Sequence, residues 1–194
     1  MNKYFYLLVV LLSFSVLAAS AAASPTVTDY DSIQAALDAN RGRQVFVPAG
    51  DYPITEKLRV RGDRSGLFGP GRIIQHRNDQ PIIEIENADG AEIHGLTLMR
   101  PEGKVETNNE GVLAIKCRDL VIENVRVIDN RTRSAAIALR NCVDARISHC
   151  LVKNYMRVTV DDRTANADWG YAFNCTDGTG INVSYSVGTL IEGN

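Results

Sequence analysis

Apolar and polar residues alternate with a period of two through much of the chain, and the alternation changes phase at recurring places. In "RDLVIENVRVID" (118–129), Leu120 and Ile122 fall on one phase, Val125 and Val127 on the other, and Asn124 marks the break. The same break occurs in "IENADGAEIHGLTL" (85–98), "LRNCVDARISHCLV" (139–152) and "VSYSVGTLIEGN" (183–194). The anchor pairs Ile85/Ile93, Leu139/Ile147 and Val183/Ile191 are eight residues apart, and Ile115/Ile122 seven. Two residues after each second anchor stand Gly95, Asn124, His149 and Gly193. A period of two means strand. Gly, Asn and His tolerate positive φ better than other residues, so each break predicts a left-handed corner. Leu96/Leu98, Val125/Val127 and Cys150/Val152 then begin a new strand.

Recurrence of one supersecondary phrase means a stacked architecture. The first anchors step by 30, 24 and 44 residues. Helical repeats need a period near 3.6, a leucine-rich repeat places its leucines at other offsets, and a propeller blade needs four strands per repeat. A β-sandwich would need two-residue hairpin signals, which are scarce here. Three short strands per turn, with each coil paired in parallel to the last, satisfy the pattern. The expected fold is all-β: a right-handed parallel β-helix. At its start, "DSIQAALDAN" (31–40) offers Asp31 or Ser32 as N-cap and puts Ile33, Ala36 and Leu37 on one face. That predicts a short helix capping the first coil, as solenoid ends require. "QVFVPAGDYPI" (44–54) reads as strand, turn and strand, and "SGLFGPGRII" (65–74) as a strand pair broken by glycines.

Residues 1–23 carry Lys3, an apolar stretch around "LLVVLLSFSVLAA" and a closing Ala21-Ala22-Ala23. The apolar core is shorter than a membrane span needs, and this is the pattern of a secretory signal peptide cut after Ala23. The expectations are a secreted protein, extracellular or periplasmic, with residues 24–194 as one β-helix domain and no membrane span after cleavage. The chain has 21 Lys+Arg against 23 Asp+Glu. That balance argues against a nucleic-acid partner. The sequence ends in "TLIEGN" with no strand after the corner. The expectation is an N-terminal set of coils, truncated at the C-terminal end, with further coils in a longer protein.

"SIQAALDANRGRQVFVPAGDYPIT", followed by "GLFGPGRII", resembles the entry segment of the pectate lyase superfamily, and "LIEGN" is similar to a coil phrase of such proteins. The resemblance implies a pectin-lyase-like β-helix that binds, and in many members cleaves, a polysaccharide; it is specific for fold and says little of activity. The glycoside hydrolase branch that cleaves polygalacturonan carries Asn-x-Asp, Asp-Asp, Gly-His-Gly and Arg-x-Lys in order. Here Asn87-Ala88-Asp89 and Asp161-Asp162 are present, whereas Gly-His-Gly and Arg-x-Lys are absent. Asp161 and Asp162 are the candidate acid and base, the pair that glycoside hydrolysis needs. A lyase needs a Lys or Arg base beside a uronate carboxylate; Lys153 and Arg157 are the candidates, with Arg163 on the same stretch. The alternative to an enzyme is a non-catalytic surface or adhesion module.

The long departures from the repeat all follow the third apolar pair: "MRPEGKVETNNEG" (99–111), "IDNRTRS" (128–134) and "KNYMRVTVDDRTANADWGYAF" (153–173). Stacking gathers them along one edge, where binding residues collect. Arg100, Asp129, Arg131, Tyr155, Arg163, Trp169 and Tyr171 are the candidate substrate contacts, the aromatics because ring faces pack against sugars. His94 and His149 read as corner residues. No acidic cluster has calcium spacing and no His/Cys spacing suggests zinc, so no cofactor is expected; Ca²⁺ is compatible with the lyase reading but unsupported. Cys117 and Cys142 fall at the same turn of successive coils, either as a disulfide or as buried thiols; Cys150–Cys175 is a weaker second pairing.

Overall fold

The computed structural model describes residues 23–101, 106–155 and 178–194. It is a parallel β-solenoid of three sheets, with one short helix near its start. The first sheet stacks β1 (Gln44–Phe46), β4 (Gly66–Phe68), β7 (Glu92–His94), β10 (Val121–Glu123), β13 (Arg146–Ser148) and β16 (Leu190–Glu192). The second stacks β2 (Asp51–Ile54), β5 (Arg72–Gln75), β8 (Thr97–Met99), β11 (Arg126–Ile128) and β14 (Leu151–Lys153). The third stacks β3 (Leu58–Val60), β6 (Ile83–Glu86), β9 (Val112–Ile115), β12 (Ala135–Arg140) and β15 (Thr179–Ser184). All strand pairs are parallel, and each links one coil to the next.

The period of two becomes columns of like side chains. In the first sheet, Val45, Leu67, Ile93, Ile122, Ile147 and Ile191 are in register and all but the last are fully buried. Ile73, Leu98 and Val127 do the same in the second sheet, and Ile83, Val112 and Ile137 in the third. Branched side chains suit these pleated, tightly stacked surfaces. Gly95, Asn124, His149 and Gly193 form the expected corner, with φ of 72°, 54°, 54° and 64°. The ladder runs through it: the Asn124 amide donates to the Ser148 carbonyl at 3.0 Å and that of His149 to Glu192 at 3.1 Å.

Two further left-handed columns flank the turn from the third sheet to the first. One holds Asn87, Lys116, Asn141 and Tyr185, the other Gly90, Asp119, Asp144 and Gly188. They explain an irregularity in the pattern. Ile115, expected as an inward anchor, pairs with Glu86 and Arg140 and points outward; Ala114 occupies the inner position, in register with Ile85 and Leu139. Counted from Ala114, the distance to Ile122 is eight residues, as in the other coils. Ile115 instead packs against Leu113, Ala135 and Ala138 in a small outer cluster.

The helix α1 (Ile33–Ala39) starts at Ser32, whose hydroxyl accepts from the Ala35 amide at 3.1 Å. It buries Ile33, Ala36 and Leu37 over the first coil. Its Gln34 side chain also acts as a strand surrogate: Nε2 donates to the Arg59 carbonyl at 3.2 Å, and the Arg59 amide donates to Oε1 at 2.8 Å. The free edge of β3 is thereby satisfied by one amide side chain. Cys117, Cys142 and Cys150 are buried free thiols, not disulfides. The Cys117 and Cys142 sulfurs lie near carbonyls of the preceding coil, 3.6 Å from Cys117 to Ile85 and 3.8 Å from Cys142 to Ala114, and near the carbonyls two residues back, Ile115 at 3.4 Å and Arg140 at 3.5 Å. The thiol of Cys117 is pushed up, first by its hydrogen bond to Cys142 and then by burial, and burial does the same to Cys150. The signal segment and Cys175 lie outside the described residues. Among the described residues no helix is long and apolar enough to cross a membrane.

Candidate ligand-binding edge

The chain leaves the second sheet at one edge of the solenoid and re-enters at the third. Register carried one step past β8, β11 and β14 aligns Arg100, Asp129 and Asn154. Asn154 Nδ2 donates to Asp129 Oδ1 at 2.8 Å, while Arg131 approaches the same carboxylate at 3.9 Å and donates to the Pro101 carbonyl at 2.6 Å. Stacking continues beyond the strands. Thr107 and Thr132 bridge in parallel, and the Thr132 amide donates to the Tyr155 carbonyl at 2.7 Å. Each threonine hydroxyl also accepts from the amide two residues on, Asn109 and Ser134, both at 2.9 Å. These local turns hold successive loops in one conformation.

Arg100 was expected to face a substrate; it lies instead inside this edge with no exposed surface. Its Nε donates to Asn130 Oδ1 at 2.9 Å, Nη2 to the Gln80 carbonyl at 2.9 Å and Nη1 to the Arg77 carbonyl. Burial, reinforced by the charge of Arg131, draws its pKa down to about 10. The guanidinium is a tie between loops of successive coils. Tyr155 also turns inward, packing against the main core. Lys153 is exposed at the end of β14, and Asp129 and Arg131 are half-buried beside each other. Arg157, Asp161, Asp162, Arg163, Trp169 and Tyr171 lie outside the described residues.

On the outer side of the same edge is a cavity of ≈ 480 Å³, lined by Asn78, Asp79, Glu106, Thr107, Asn108 and Asn109. Its wall offers amide donors and acceptors and two carboxylates, while the buried Thr107 hydroxyl is spent on the Asn78 carbonyl. Asp79 is held below the usual carboxylate range by the hydrogen bonds from Arg77, which donates at 3.0 Å from Nε and also reaches Glu56 at 3.0 Å. Asn109 Nδ2 donates to the Asn78 carbonyl at 3.0 Å, linking the loops of adjacent coils. None of the six lining residues stands out by chemistry in the sequence. A faint signal is the echo of "TNNEGV" (107–112) in "TRSAAI" (132–137), equal in spacing and ending on the register pair Val112 and Ile137. Behind it, Glu110 is buried and accepts from Ser134 Oγ and Arg140 Nη2, both at 2.7 Å. Among the described residues no group of three or more His, Cys, Asp or Glu is arranged to hold a metal ion.

The class these features define is a parallel β-solenoid with a polar, loop-built edge. No family model and no curated protein matches the chain. Its fold is similar to that in the crystal structure of a putative glycosyl hydrolase from Parabacteroides merdae, with a TM-score of 0.57 and 12% identity, over 84% of this chain and 79% of that one. At that identity the likeness is one of fold.

Proposed function

We propose that this is an exported polysaccharide-binding β-helix protein of pectin-lyase-like type, acting as a glycoside hydrolase. The cavity beside Thr107 carries the reading. Its lining can both give and accept hydrogen bonds, which is what a polyhydroxylated chain requires, and it sits where the loops of successive coils converge. The hydrolytic half leans on the name of the structural neighbour and on Asp161 and Asp162 as acid and base, in the largest excursion from the same edge. A lyase, with Lys153 or Arg157 as base and Arg163 on the uronate, is the competing chemistry. Trp169 and Tyr171 are proposed as sugar-stacking residues. A panel of polysaccharides incubated with the secreted protein separates the possibilities. New reducing ends without absorbance of unsaturated uronates are expected, with Asp161→Asn abolishing them and Asn109→Ala weakening binding. Unsaturated products would replace hydrolase by lyase, and binding without products would make the protein an adhesion module.

A further inference from the structure

The outer face of the first sheet, away from the loop edge, carries a second row of chemistry. Register aligns Phe46, Phe68, His94, Glu123, Ser148 and Glu192 in a single line along the solenoid axis. Their inward neighbours, Val45 to Ile147, fill the core, so alternation turns this line outward, although Ser148 itself has no exposed surface. The line begins with an aromatic pair: the Phe46 and Phe68 rings are 5.1 Å apart, tilted at 45° and half-exposed. Gly69, at φ 127°, leaves room here, because a Cβ would run into the Val47 carbonyl oxygen and come within 2.9 Å of the Phe46 ring. The next two coils supply hydrogen-bonding groups. His94 lies between two carboxylates, with Nε2 2.9 Å from Glu92 and Nδ1 3.5 Å from Glu123. His149 Nδ1 is 3.7 Å from the other oxygen of Glu123. All four side chains reach solvent, with exposures of 43% for Glu92, 29% for His94, 31% for Glu123 and 56% for His149.

We infer that this face is a second carbohydrate site, built for a neutral pyranose chain lying along the axis. Aromatic faces present the surface that packs against the C–H side of a sugar ring, and carboxylates and imidazoles next to them take its hydroxyls. Coils stack ~4.8 Å apart, close to the length of one pyranose unit, so successive sugars meet successive coils. Charge selects the ligand. Arg146 is occupied by Glu192 at 2.8 Å. The contacts of Glu92 and Glu123 in this patch are imidazoles and the Ser148 hydroxyl, which leaves the patch acidic when the histidines are neutral. A uronate chain is therefore repelled. The site is independent of the loop edge and stands or falls separately from the function proposed there.

Isothermal titration of the whole chain with cello-, xylo- and mannohexaose, and with hexagalacturonate, tests the assignment. At least one neutral hexaose should bind, and hexagalacturonate should not bind at this face. Glu123→Gln and Phe68→Ala should each weaken the neutral binding about tenfold, the loss of roughly one good contact. Asp38→Asn, on the exposed side of the capping helix and part of neither site, should leave it unchanged. A thermal melt of each variant separates binding from folding; if Phe68→Ala lowers the melt, His94→Gln replaces it. No neutral binding, neutral binding indifferent to Glu123→Gln and to the aromatic or His94 variant, or hexagalacturonate binding that Glu123→Gln alters would each overturn the inference. Indifference of polysaccharide binding to Asn109→Ala alone would count against the loop edge and leave this face standing.

Discussion

At the scale of single residues, the solenoid depends on positions where the backbone adopts positive φ. Asn124, at φ 54°, stands in a column with Gly95, His149 and Gly193. For most L-residues that conformation costs about 1–2 kcal/mol. Asn124→Gly should therefore leave the denaturant midpoint unchanged or raise it, whereas Asn124→Val should lower stability by about 1–2 kcal/mol with the same fold by circular dichroism. This column was legible in the sequence because it holds residue types that visit the left-handed region. The column of Asn87, Lys116, Asn141 and Tyr185 was not. Lys116 and Tyr185 have no such preference, and their φ of 54° and 53° is imposed by stacking on Asn87 and Asn141. The same blindness misassigned Ile115, since an apolar residue beside a buried Ala114 looks like the better core anchor until the neighbouring coils are in place. Arg100 shows a related effect: a charged residue next to a loop looks exposed, and only the Arg77 and Gln80 carbonyls together with the Asn130 amide oxygen make its burial tolerable.

At the scale of elements, the strands and the capping helix were the legible parts, because period two, Ser32 and the apolar face of 33–37 are local signals. What the helix does at its contact was not. Gln34 pairs with both backbone groups of Arg59 across 25 residues, and nothing in "SIQAAL" distinguishes that glutamine from a solvent-facing one. Gln34→Ala should cost about 1–3 kcal/mol by leaving two strand groups without partners, and hydrogen exchange should show the Arg59 amide losing protection before those of β6. Equal protection in wild type and variant would mean that the Gln34 side chain is not what shields that amide. The loop edge was legible as a place, through its long departures from the repeat, but its cavity is assembled from ordinary polar residues that acquire meaning only by stacking.

At the scale of the whole molecule, every sheet is an ordered series of nearly equivalent strands. Ile115 pairs with Arg140, so Asn141 follows Arg140 at the same corner that Lys116 occupies after Ile115. Excising residues 116–140 would remove β10, β11 and β12 together and rejoin like to like. The molecule is thus a ruler graduated in coils: such a deletion should shorten it by ~4.8 Å while the remaining coils still melt cooperatively, and small-angle scattering can measure the change. In the outward line of the first sheet, His94 would then meet Ser148 directly, with Glu123 gone. The minimum oligosaccharide length for full affinity at that face should fall by one sugar, so that ligand size is counted off by the number of coils rather than by the shape of any one pocket.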